Sequence, residues 1–315
     1  MSTLIPVGIS ACVLGESVRF DGGHKRLPFA TDHLKPYVRF YPVCPEMAIG
    51  MPSPRPAIRL IRGDEGLQLV GSSQDLKVTE AMQAFSREKV ASLSHLCGYI
   101  VCAKSPTCGM ERVKVYDAAG KGAEKVGVGL YTQELMRQMP WLPVEEDGRL
   151  NDPVLRENFV TRIFALHDFY RQCEAGMTRG KLVAFHSRYK LLIMAHSQAD
   201  YRALGRRVAD LDAMPFDELL IAYRDHLMQA LSKRPTRKNH SNVLQHIQGY
   251  FSRQLSSRQR KELSHLIDRY RRGTQPLLAP LTLLRHYLEE HPDPYLTQQV
   301  YFEPYPEALL LRYGS

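Results

Sequence analysis

Three cysteines stand in segments suited to sulfur chemistry: Cys12 in Ser10-Ala11-Cys12-Val13-Leu14-Gly15, Cys44 in Val43-Cys44-Pro45-Glu46, and Cys108 in Lys104-Ser105-Pro106-Thr107-Cys108-Gly109. Each segment reads as a loop following a compact apolar run. A thiol in such a place binds metal, does redox chemistry or is simply buried; structural disulfides are improbable in the reducing cytoplasm expected for this chain. A lone free cysteine is usually a small buried hydrophobe. Three at equivalent strand ends point instead to one crevice, because ligands of open α/β sheets bind beyond the carboxyl ends of the strands. Cys97 at a helix end, Cys102 inside an apolar strand and Cys173 in a helical segment read as packing residues and stay outside the candidate site.

The elements that must position these thiols are legible as changes of period. Residues 5–10, 38–43 and 98–103 are apolar runs of strand length, and 74–96 reads as a helix leading into the third. Residues 57–61 and 67–70 read as a hairpin added to the same sheet. The expected first domain, residues 1–150, is therefore α/β with an open, mainly parallel sheet. Pro, Gly and acidic residues cluster over 140–153, including Glu145-Glu146-Asp147-Gly148, which reads as a linker or domain edge. Beyond it, Leu155, Phe159, Ile163, Leu166 and Phe169 share one helical face. Phe216, Leu219, Leu220, Tyr223 and Leu227 do the same, then Val243, Leu244, Ile247, Phe251 and Leu255, then Leu263, Leu266, Ile267 and Tyr270. Residues 151–315 are expected to form an all-α domain.

Composition bounds the function. A chain of 315 residues with 44% hydrophobic and 24% charged residues is an ordinary globular one, which sets aside disorder and low-complexity structure. No run is long enough for a membrane span, the first twenty residues lack a leader pattern, and the expected compartment is the cytoplasm. No Walker or dinucleotide motif is present, so no nucleotide cofactor is implied. The net charge is +9, and it is unevenly spread: 18 basic against 16 acidic residues in 1–150, 24 against 17 in 151–315. Lys233, Arg234, Arg237, Lys238 and His240 crowd one loop and helix start, and Arg253, Arg258, Arg260, Lys261, Arg269, Arg271 and Arg272 follow. A basic balance held in one domain points to a polyanion, and nucleic acid is the commonest. Tyr189 and Tyr250 read as core aromatics or as stacking faces for a base. His186, His196 and His246 read as packing or RNA contacts, since no carboxylate or cysteine constellation accompanies them.

Four motifs in order, Ile9-Ser10-Ala11-Cys12-Val13-Leu14-Gly15, Val18-Arg19-Phe20-Asp21-Gly22-Gly23, Cys44-Pro45-Glu46 and Lys104-Ser105-Pro106-Thr107-Cys108-Gly109, resemble the thiouracil desulfidase family over about residues 4–150. The second half resembles the YbgA-type helical domain through residues 185–190, 234–246 and 249–251. The fusion resembles bacterial desulfidases that remove 4-thiouridine from tRNA.

The resemblance implies a [4Fe-4S] cluster held by Cys12, Cys44 and Cys108, with one iron left without a protein ligand and open to a thiocarbonyl sulfur. It implies a general acid/base role for Glu46, two residues from Cys44, and a catalytic or substrate-orienting role for Ser105. Lys104 and Asp21 are candidate substrate contacts, Asp21 also reading as part of a plain Asp-Gly-Gly turn. Arg234, Arg237, Lys238 and His240 are candidate contacts to thiolated tRNA. Two further readings stay open at the level of sequence: a desulfidase of free thiouracil or thionucleotides, and a noncatalytic iron-sulfur or zinc RNA-binding module. Oligomeric state is not legible.

Overall fold

A computed structural model describes residues 4–63, 66–71 and 76–312. The chain divides into two compact units, Met1–Asp152 and Pro153–Ser315.

The first unit runs β1 (Ile5–Ser10), α1 (Ala11–Leu14), β2 (Val38–Val43), α2 (Pro45–Ala48), β3 (Ile58–Gly63), β4 (Gly66–Gly71), α3 (Thr79–Ala91), β5 (Gly98–Val101), β6 (Val113–Tyr116), β7 (Ala123–Gly127), α4 (Leu130–Gln138) and β8 (Val144–Glu146). One sheet has the order β2-β1-β5-β8 and is parallel throughout. Every residue of β5 and all but Pro6 of β1 are buried, as interior strands of a parallel sheet require. In register, Ser10 lies beside Val43 and Ile9 beside Ile100. Three strands therefore end at nearly one level, and the residues that follow them emerge on the same edge.

The α/β expectation holds for this unit, with three corrections. The hairpin forms as β3 and β4, but it belongs to a second sheet of order β4-β3-β6-β7 rather than extending the parallel one; the tip of its turn, 64–65, lies outside the described residues. The helix expected over 74–96 is α3 alone. Residues 72–75 lie outside the described residues, and after Ala91 the backbone closes turns, Leu93 N donating to Val90 O at 2.9 Å and Leu96 N to Leu93 O at 3.0 Å. Leu93, Leu96 and Cys97 are buried, and a buried turn of that spacing has the same apolar period as a continuing helix. Finally, the acidic run read as a linker contains β8. Glu145, Glu146 and Asp147 are 8, 5 and 5% exposed, and each carboxylate is satisfied: by Arg149 at 2.6 Å, by the backbone of Met110 at 2.9 Å, and by Lys25 at 2.7 Å.

The second unit is helical, as expected: α5 (Pro153–Glu174), α6 (Arg179–His196), α7 (Gln198–Ala209), α8 (Phe216–Ser232), α9 (Arg237–Tyr250), α10 (Ser257–Arg271), α11 (Leu278–Glu290) and the single turn α12 (Pro294–Thr297). Side chains of Thr178, Ser197, Thr236 and Ser256 cap α6, α7, α9 and α10, the last as a full capping box with Gln259. Phe169, Phe185, Tyr189 and Tyr223 lie in one core cluster with the apolar faces of α8, α9 and α10. α9 ends at Tyr250, and Phe251 and Leu255 are buried in the turn beyond it. Among the described residues no helix is long and apolar enough to cross a membrane.

Candidate active site

A cavity of about 500 Å³ opens at the carboxyl edge of the parallel sheet, a size typical of small-molecule sites. Cys12, Cys44, Cys102 and Cys108 line it together with Glu46 and Ser105. Each thiol is placed by its local backbone. Cys12 sits in the first turn of α1 directly beyond β1, and its carbonyl receives Lys25 N at 2.8 Å, which folds the 16–25 segment back over it. Cys44 is the N-cap of α2 with Pro45 at the first helical position, so Glu46 falls in the first turn beside it.

Cys108 lies in the loop between β5 and β6, which is clamped at both ends. Asp147 accepts Ala103 N at 2.7 Å, and Glu146 accepts Met110 N at 2.9 Å. Inside the loop, Ser105 Oγ accepts Thr107 N at 3.2 Å and Cys108 N at 3.1 Å. Gly129 passes so close that a Cβ there would stand 2.4 Å from the Thr107 carbonyl carbon. Only glycine fits at that crossing.

A hydrogen-bond chain links the polar groups. Thr107 Oγ1 donates to Glu46 Oε1 at 2.8 Å. With that proton committed, Thr107 accepts from Ser105 Oγ at 2.9 Å. The other oxygen of Glu46 pairs with the guanidinium of Arg55, whose side chain is buried. The carboxylate is thus fixed from two sides and connected through Thr107 to Ser105.

Cys12 and Cys102 line the cavity together, and the Cys102 thiol lies 3.9 Å from the carbonyl oxygen of Ala103. Cys102 is held below the usual thiol range by Cys12 beside it, with Lys25 and Arg19 adding to the effect and burial opposing it. Cys12 is held far up by Cys102 beside it, by burial and by the other thiols. Burial, with Glu46 nearby, pushes Cys108 up to about 12, and burial raises Cys44. Left to themselves, these sulfurs resist ionising together. A cationic metal centre removes that resistance, since coordinated thiols lose their protons outright. Among the described residues no three His, Cys, Asp or Glu side chains converge tightly enough for a single ion. The sulfurs surround a volume, which suits a multi-iron cluster better than a tetrahedral zinc site.

The structure places Lys104 on this cavity with an exposed side chain and a left-handed backbone, φ 65°. Asp21 is not among the lining residues. Its carboxylate accepts Gly23 N at 3.0 Å and meets Arg19 at 3.4 Å, the behaviour of a turn residue. Cys102, read as a packing residue inside a strand, lies one residue past the end of β5 and lines the cavity. Sequence reasoning also passed over Arg55, Thr107 and Lys25. Thr107 stands inside a motif, whereas nothing local in the sequence marks Arg55 as the partner of Glu46, nine residues earlier.

In the helical unit, Arg234 and Lys238 are exposed. Arg237 is exposed but spends its guanidinium on the carbonyl of Tyr270 in the last turn of α10, at 3.2 Å, and on that of Gln275 beyond it, at 3.5 Å. His240 corrects an expectation. It is 8% exposed, its Nδ1 meets Tyr301 Oη at 2.9 Å, and burial holds it down at about 3, so it is a neutral core group and not an RNA contact. His186 and His196 are buried as well, while His246 is exposed. Tyr189 is core; Tyr250 is 45% exposed and stacks on Tyr295 with centroids 5.5 Å apart.

Comparison with known proteins divides the chain in the same way. Residues 7–147 match the model of the 2-thiouracil desulfurase family, and 190–306 match a family described as a protein of unknown function. Over 160 residues the chain is 46% identical to the uncharacterized protein YbgA of Escherichia coli (strain K12), covering 50% of this chain and 95% of that protein. The chain is a YbgA-family protein fused to a 2-thiouracil desulfurase domain. A solved structure of a [4Fe-4S]-dependent thiouracil desulfidase, TudS, is similar at 28% identity and a TM-score of 0.40, covering 47% of this chain and 94% of that one. The cavity with its cysteines lies wholly within the desulfurase match, and the cation-rich helices α9 and α10 lie within the YbgA-type match.

Proposed function

We propose that this protein is a tRNA 4-thiouridine desulfidase, exchanging the sulfur at C4 of the modified base for oxygen and releasing hydrogen sulfide. The observation that carries this reading is the meeting of Cys12, Cys44 and Cys108 with Glu46 and Ser105 on one cavity. The thiol donor set fits a [4Fe-4S] cluster held by those three cysteines. When bound, the cluster supplies a Lewis-acidic iron with a position for a soft thiocarbonyl sulfur, which makes the attached carbon electrophilic.

The chain's own groups manage the proton and the water. The Glu46 carboxylate, held by Arg55 and Thr107, takes a proton from water as its oxygen adds to C4. Ser105, joined to Glu46 through Thr107, orients that water or the ring carbonyl. The proton returns to the sulfur as the C–S bond breaks. The balance is C=S plus water giving C=O plus hydrogen sulfide, with no net electron transfer.

A tRNA substrate is supported by the charge of the second unit. Three of its helices, α6, α9 and α10, have no acidic residue in the first turn and carry cations there, against the helix dipole. Part of this charge is internal: Lys181, Arg237 and Arg260 donate to carbonyls near the ends of other helices. Arg234, Lys238, Arg253, Arg258, Lys261 and Arg269 are exposed, and none of these side chains is in an ion pair among the described residues. Such a surface suits the phosphate backbone of a folded RNA. A second reading, a desulfidase of free thiouracil, is favoured by the family match of the first unit.

The test is anaerobic. The protein is reconstituted with iron and sulfide, then given thiolated tRNA or free 4-thiouridine and 2-thiouracil in parallel, with sulfide release and loss of thiocarbonyl absorbance followed. Turnover of the tRNA above the free compounds is expected. Turnover of the free compounds alone selects the second reading, and turnover of none with an intact cluster removes both.

A further inference from the structure

Among the described residues, Phe20 is the one large apolar side chain that lines the cavity and is also well exposed, at 45%. A single exposed ring is ordinary on a protein surface. This one stands on a fixed backbone at the rim of a site. Its carbonyl accepts the backbone N–H of Arg55 at 2.8 Å, and the hydroxyl of Ser53 lies 3.0 Å from the carbonyl of Arg19 and 3.1 Å from that of Ser17. Gly22 N donates to Arg19 O at 3.0 Å and Arg19 N to Gly23 O at 3.2 Å, which closes the loop on itself. The Arg19 guanidinium stands over the ring, 5.6 Å from its centroid, and also lines the cavity.

We propose that Phe20 is the stacking platform for the ring of the substrate base, so that the site selects a thiocarbonyl set in a flat, conjugated heterocycle. This rests on, and deepens, the reading of the cavity as a desulfidase site. Arg55 ties the platform to the chemistry: its guanidinium pairs with Glu46 and its backbone N–H holds Phe20, so ring and carboxylate are positioned by one residue. Arg19 takes up one face of the ring and leaves the remaining exposed surface for a base. Stacking uses the faces of a base and not its edge, so the thiocarbonyl at that edge stays free to meet the thiols and Glu46. A base drawn out of an RNA stack loses the rings of its neighbours, and Phe20 replaces one of them. A free thiolated base or nucleoside gains the same contact. A thiocarbonyl outside a flat ring does not.

The experiment uses the full-length, reconstituted protein as wild type, Phe20→Ala, Phe20→Leu and Phe20→Tyr. Iron is measured first, and all are expected to hold it equally. Sulfide release is then followed with thiolated tRNA and with free 4-thiouridine as separate reporters. The competitors are 2-thiouracil and its 5,6-dihydro derivative, which keeps the thiocarbonyl but loses the flat conjugated ring. Wild type should be inhibited by 2-thiouracil at about tenfold lower concentration than by the dihydro compound. Phe20→Ala and Phe20→Leu should erase that difference and raise KM about tenfold with kcat changed far less, while Phe20→Tyr keeps both near wild type. A rise in KM with either reporter supports the platform and tells whether its base comes from RNA or from a free nucleoside. Equal competition by the two compounds in wild type, or a difference that survives Phe20→Ala, overturns the assignment. Full recovery in Phe20→Leu also overturns it, since apolar bulk would then suffice. Loss of iron in Phe20→Tyr as well as Phe20→Ala makes Phe20 a structural residue and rejects the platform. If wild type releases no sulfide from either reporter, the proposed function itself fails and the role of Phe20 falls with it.

Discussion

At the scale of single residues, the proposed function separates groups that would hold the metal centre from groups that would handle protons. If Cys44 and Cys108 hold the cluster, Cys44→Ala and Cys108→Ala are expected to lose bound iron on reconstitution. Cys173→Ala, in the other unit, keeps it; iron-to-protein ratios read the difference, and equal loss at Cys173 would sink the ligand set. Glu46 is different in kind. Glu46→Gln preserves shape but cannot accept a proton, so iron content should match wild type while the rate of sulfide release falls about 100-fold or more. A loaded Glu46→Gln protein with full activity would remove Glu46 from the reaction. Arg55 acts through Glu46 and is a positioning residue in this scheme.

At the scale of elements, the parallel sheet makes the site because three strands end at one level, and β8 contributes by fixing the loop that carries Ser105, Thr107 and Cys108. In the second unit, the helices bury three histidines as neutral groups. Burial holds His186 and His196 at about 4 and His240 at about 3. An unfolded histidine titrates near 6.5, so between pH 6.5 and about 4 the unfolded chain binds protons that the folded one refuses. Stability from these groups is complete above pH 6.5 and is lost as the pH falls toward 4, each histidine contributing on the order of 3 kcal/mol across that range. Urea midpoints followed at 222 nm should therefore fall from pH 7 to pH 4.5. The window lies above the range where Asp200, held below the usual carboxylate value by Lys233, Ser197 and His226 against the effect of burial, contributes to the slope. His240→Gln should flatten the slope; an unchanged slope would show that this imidazole is not kept neutral by the fold.

At the scale of the whole molecule, a desulfurase domain and a basic YbgA-type domain share one chain, and the proposal assigns chemistry to the first and the polyanion to the second. Charge reversal at Arg234, Lys238 and Arg258 together should weaken tRNA binding and reduce the salt dependence of that binding, while free 4-thiouridine turnover falls less. Equal loss of both activities would indicate misfolding rather than lost RNA contact. Arg237 is left out of this set because its bonds to Tyr270 and Gln275 give it a structural task.

What the sequence by itself determined is local. Period distinguished the α/β half from the helical half, and the turn chemistry around Cys12, Cys44 and Cys108 marked loops at strand ends, because those signals depend on nearest neighbours along the chain. Tertiary structure decided everything set by distant partners. It turned the acidic run 145–147 from a linker into a buried clamp, since Arg149, Lys25 and the backbone of Met110 satisfy its charge. It moved His240 from the surface to the core, where Tyr301 receives it, and gave Glu46 its partners Arg55 and Thr107. It brought Cys102 to the cavity because β5 stops at Val101, and a strand's last residue depends on the register of its neighbours, which no local pattern records.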